Sequence, residues 1–68
     1  MKLSARNQIK GKVIAVDHGP ISAKVKIDIG GDNILISHVT DESVTELNIK
    51  VGDEVTAVIK ASSIIIGK

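Results

Sequence analysis

Ser4, Arg6, Asn7 and Gln8 place a hydroxyl, a guanidinium and two amides close together near the start of this chain. Toward the other end, Lys60, Ser62 and Ser63 repeat the theme, a cation followed by hydroxyls. All of these groups donate hydrogen bonds, and the two cations add charge to theirs. Neither stretch contains a carboxylate. A tetrahedral oxyanion needs such donors converging from different directions, with no lone pairs turned toward it. Ser4, Arg6 and the backbone amides around Ala5 would make one wall of that site. Lys60, Ser62 and the amides around Ala61 would make the other. Polar lead-ins and polar turns between strands are also common in small domains, so residue types alone leave both readings open.

Something must hold these segments in place, and the chain between them is patterned for strands. Over residues 21–29, Ile21, Ala23, Val25, Ile27 and Ile29 alternate with Ser22, Lys24, Lys26 and Asp28. That period of two gives one apolar and one polar face. Residues 9–16 read as an earlier strand, apolar on both faces toward its end at Val13, Ile14, Ala15 and Val16. Asp17, His18, Gly19 and Pro20 join the two as a hairpin turn. Gly30, Gly31, Asp32 and Asn33 break the pattern before a third strand over 34–39. Thr40 or Asp41 then caps a short helix over 42–47, with Ser43 and Glu46 at capping-box spacing and Val44 and Leu47 on one face. A turn over 50–53 leads to a fourth strand over 54–60, and Ile64, Ile65 and Ile66 form a short fifth. This order predicts an all-β fold: a small five-stranded OB-type barrel with one helical turn between strands 3 and 4. SH3-like barrels differ little in element order.

Sixty-eight residues make a single domain, here 1–68, with a thin stability margin. The absence of cysteine excludes disulfides and thiolate metal cages. With no Phe, Tyr or Trp, the core falls to Ile, Val, Leu and Ala. That aliphatic content exceeds what one small chain hides easily, so the chain is expected to self-associate. A net charge of +1 with interspersed signs argues against a nucleic-acid partner. Single-strand binders also use aromatic stacking platforms, which this sequence lacks. No apolar run approaches the roughly 20 residues of a membrane helix, and no signal-peptide core follows Met1. A cytoplasmic, independent protein is expected.

The remaining polar residues invite plain readings. His18, beside Asp17 in a turn, is expected in solvent, and His38 in a strand is expected in a structural or interface role. Gly30 and Gly31 lack the lysine and helix of a phosphate loop. Asp41 and Glu42 at a helix start complement its dipole. No nucleophile, base and orienting group assemble, so no enzyme is expected.

Taken whole, the opening Ser4-Ala5-Arg6-Asn7-Gln8-Ile9-Lys10-Gly11-Lys12-Val13 and the ending Ala57-Val58-Ile59-Lys60-Ala61-Ser62 carry a family likeness. With Glu46-Leu47 and Val51-Gly52-Asp53-Glu54-Val55 between them, they resemble the molybdate-binding Mop family over residues 3–66. The family's signatures are an S-A-R-N-Q-x-x-G-x-[VI] opening and an A-x-I-K-[AS]-[ST] ending. The resemblance implies an OB-type fold assembled as a homohexamer, a trimer of dimers, with molybdate or tungstate bound between subunits. It implies a dimer-interface site made by Ser4, Ala5 and Arg6 of one chain with Lys60, Ala61 and Ser62 of its neighbour. A second class of site near the three-fold axis would draw on Gly19, Pro20 and Ile21 and on Ser37 and His38. The function implied is oxyanion storage or homeostasis. A ligand-sensing module acting with a transporter or regulator is the alternative.

Overall fold

The structure, a computed structural model, describes residues 5–68. Four strands, β1 (Asn7–His18), β2 (Ser22–Gly30), β3 (Asn33–Thr40) and β4 (Glu54–Ile59), form one antiparallel sheet in the order β3-β2-β1-β4. A short helix α1 (Asp41–Glu46) links β3 to β4, and a 3-10 turn (Ala61–Ser63) follows β4.

β1 is the spine. Its first half pairs with β4, from Asn7 opposite Ile59 to Lys12 opposite Glu54. Its second half pairs with β2, from Lys12 opposite Asp28 to His18 opposite Ala23. To serve both partners the strand must curl, and two local features allow it. At Gly11 a Cβ would collide with the Ile27 side chain and come within 2.9 Å of the Asp28 carbonyl oxygen, so only glycine fits. One turn later the register slips between Val13 and Ala15, leaving Ile14 as the extra residue of a β-bulge. The bulge also explains the apparent two-sidedness of this stretch. Val13 and Val16 both face β2's apolar residues Ile27 and Val25, and Ile14 is turned out to solvent.

Val13, Ala23, Val25, Ile27 and Val44 are buried, with Val16, Ile29, Leu35, Val39, Ile49 and Val55 packed around them. The alternation in β2 faces as its period implies, Ala23, Val25 and Ile27 inward. Thr40 caps the helix: its hydroxyl accepts from the Ser43 amide at 3.0 Å. Ser43 is therefore the third residue of the helix and does not itself start a capping box. Val44 seals one end of the core, whereas Leu47 stands at the C-cap and is 72% exposed.

One expectation is corrected. The sheet has four strands, and it is open between β3 and β4. Residues 64–66 pair with neither, although Ile64 has extended backbone angles. The cause is the turn before them. The Ser63 amide donates to the Lys60 carbonyl at 2.9 Å and the Ile64 amide to Ala61 at 3.2 Å. That coil sends the chain away from β4, and an extended segment becomes a strand only beside an edge.

Candidate oxyanion site

The pairing of β1 with β4 decides where the two donor-rich segments lie. Asn7 opposite Ile59 is the last pair of that ladder, so Arg6 and Lys60 leave it at the same end. The segments at opposite ends of the sequence thus become neighbours within one chain. Ala5 is half-buried, and its carbonyl accepts from the Gln8 side-chain amide at 2.8 Å, which folds the lead-in back on the strand. Arg6 is exposed. Ser4 lies outside the described residues.

On the β4 side, Lys60, Ala61 and Ser62 are all exposed. Lys60 is extended and has no side-chain capping role; the hydrogen bonds of the turn begin at the Ser63 amide. The Ala61 and Ser62 amides precede that ladder and so are not used by it. Among the described residues the one ion pair is His18 with Asp41, so neither Arg6 nor Lys60 is neutralised by a carboxylate. The end of the β1–β4 pair therefore offers a guanidinium, an ammonium and free amides, which only donate, and a hydroxyl, which both donates and accepts.

Part of the opening motif serves construction. Gln8 ties down Ala5, and Gly11 permits the close approach to β2. Reading those two as builders needed the fold, although a glycine inside a strand pattern was a signal of close backbone approach.

The second group is more dispersed. The Gly19 amide donates to the Ser22 carbonyl at 2.9 Å, and the Asp41 amide donates to the Ile21 carbonyl at 3.0 Å, which binds this turn to the helix start. Pro20 and Ile21 are exposed. Ser37 lies opposite Val25 on the core side of β3, and His38 lies opposite Lys24 on the outer side. Ser37 and His38 thus diverge, and within one chain they do not face a common ligand. His18 is exposed as expected but also contacts Asp41, Nδ1 to Oδ1 at 2.6 Å.

Among the described residues no group of three or more His, Asp or Glu side chains is placed to hold a metal ion. No helix among them is long and apolar enough to cross a membrane.

The TOBE domain family model matches residues 3–66. The chain belongs to that family. This TOBE domain is 54% identical over 67 residues to a probable molybdenum-pterin-binding protein of Haemophilus influenzae, covering 98% of this chain and 97% of that one. It superposes with a TM-score of 0.94 on a molybdate-binding protein from Sporomusa ovata, 35% identical and covering 100% of each chain. A TM-score of 0.89 relates it to the cytoplasmic molybdate-binding protein ModG in its molybdate-bound form. That pair is 42% identical, covering 96% of this chain and 46% of ModG. Within the TOBE family the chain is of the Mop type, as its two signature segments imply. These relatives are described as binding proteins.

Proposed function

We propose that this TOBE domain is a cytoplasmic molybdate- and tungstate-binding protein for storage or homeostasis. It holds the anion between subunits of a homohexamer built as a trimer of dimers. Ser4, Ala5 and Arg6 supply one wall; Lys60, Ala61 and Ser62 of a neighbour supply the other. The observation that supports this reading is that the exposed Arg6 and Lys60 at the end of the β1–β4 pair have no carboxylate partner among the described residues and are left to face a second copy.

Selectivity follows from the same inventory. Phosphate near neutral pH keeps an O–H, and without a carboxylate only a serine hydroxyl, itself needed as a donor to the anion, is left to accept that proton. A stranded buried polar group costs about 1–3 kcal/mol. Sulfate carries the charge of molybdate without a proton, but it is smaller and reaches fewer donors of a rigid cage at once. Tungstate matches molybdate in size, charge and shape, so the cage accepts both. The homologue names support molybdate as the ligand class.

Native mass spectrometry with and without molybdate, followed by competition calorimetry, tests this. The expected result is a hexamer gaining molybdate, displaced by tungstate at comparable concentration and not by sulfate or phosphate. Displacement by phosphate at parity would overturn the carboxylate-free site.

A further inference from the structure

The lead-in to β1 is tied down by a side chain. The β1–β4 ladder ends at Asn7 opposite Ile59, and the chain bends at Arg6, so residues 5 and 6 lie beyond its pairing. Among the described residues, one hydrogen bond reaches either of them. It runs from the Gln8 side-chain amide, Nε2, back three residues to the Ala5 carbonyl oxygen, at 2.8 Å. Gln8 is itself well placed to hold its neighbour, because its backbone stands in the ladder opposite Val58. A side chain rooted in the sheet thus governs a segment that the sheet does not reach.

What the bond fixes is a direction. The Ala5 carbonyl and the Arg6 N–H belong to one planar trans peptide, in which the two groups point opposite ways. With the carbonyl drawn to Gln8, the Arg6 N–H is aimed away from it, and no acceptor among the described residues takes that N–H. Turned over, the same peptide would offer a carbonyl lone pair in place of a donor. That lone pair repels an anion and accepts a proton. The bond from Gln8 also polarises the peptide, which strengthens the Arg6 N–H as a donor.

We infer that Gln8 is a positioning residue of the anion site. It sets the Ala5–Arg6 peptide so that the ligand meets the Arg6 N–H and not the Ala5 carbonyl. This rests on the site proposed above and deepens its selectivity. The Ala5 carbonyl is a backbone acceptor able to take the proton of phosphate, and Gln8 keeps it occupied and turned away. Molybdate needs only the donor.

Gln8→Met keeps the length of the side chain and removes its donors, at an exposed position that the fold tolerates. Molybdate calorimetry, with phosphate as competitor, is run on the parent and the variant. Molybdate affinity is expected to fall about tenfold or more, the worth of one hydrogen bond to a charged group. Phosphate is expected to lose less, so the preference for molybdate over phosphate narrows. Equal losses for both anions would make Gln8 a structural prop only, and unchanged molybdate binding would mean that the peptide keeps its direction without it; either result overturns the inference and leaves the site standing. A parent that binds no molybdate overturns the site and the inference together. A second measurement needs no variant. In heteronuclear NMR of the parent, the Arg6 amide proton is expected to move downfield as molybdate is added, and an unmoved Arg6 resonance overturns the inference.

Discussion

The two halves of β1 live in different surroundings. Its second half is wrapped by β2 and lies under the cluster that Val44 closes from the helix. Its first half pairs with β4, whose other edge is open. The buried residues of the chain belong to the first of these regions. Exposed aliphatic residues stand in both, Ile14, Ile21, Ile36 and Leu47 in the first and Val58, Ile65 and Ile66 in the second. The hairpin and helix thus carry the buried cluster, with Ile49 and Val55 packed against it. The β1–β4 end has an open edge in one chain, and it is also where Arg6 and Lys60 stand. Substitutions in the first region are expected to act on folding, and those in the second on binding and association.

Gly11→Ala gives the largest effect, because it drives a methyl group into Ile27 and the Asp28 backbone at the junction of both regions. Overpacking costs typically 1–3 kcal/mol, and a clash with backbone puts this variant at about 3. Urea unfolding followed by far-ultraviolet circular dichroism measures it. A fully stable variant would mean that β1 need not curl tightly against β2. Lys60→Ala separates the regions most cleanly. Charged hydrogen bonds contribute about 1.5–3 kcal/mol, so calorimetry should show molybdate affinity falling tenfold or more. The anion-free protein should melt within about 0.5 kcal/mol of the parent, as exposed substitutions do. Thr40→Ala removes the helix cap and costs about 1 kcal/mol in folding, with molybdate affinity unchanged. A change in affinity would show that the packed region reaches the site. Smallest is His18→Asn, which breaks the exposed contact to Asp41, side chains 57% and 37% accessible. Exposed pairs give about 0.2–1 kcal/mol, so a loss of at most about 0.5 is expected in urea unfolding.

The packed region was legible in the sequence, since alternation in β2 and the turn residues around it specify a hairpin by local rules. Residues 21–29 against Ser22–Gly30, and 34–39 against Asn33–Thr40, differ only at the ends. The bulge at Ile14 was hidden because an extra residue looks like a second apolar face until the partner's register is known. The fifth strand failed for another reason. Three isoleucines carry the propensity of a strand, but propensity does not supply an edge, and the 60–63 turn takes the segment away from its own. At the site, residue types disclosed the donors, and only pairing of Asn7 with Ile59 disclosed that the two segments meet. The lesson concerns range: what neighbours in sequence decide was visible, and what distant segments decide was not.

Sharing one strand between a near partner and a remote one also fixes an order of events. The turn from β1 to β2 is short, so that hairpin closes a small loop and forms quickly. The first half of β1 must wait for β4, which lies beyond β2, β3 and the helix. Non-local pairing of this kind is slow, because the loop entropy is spent before the contact returns anything. On a ribosome the opening motif emerges first and finds its partner almost last. The donor-bearing end is therefore assembled late, on a hairpin already in place, and a newly made chain is foldable before it is competent to bind.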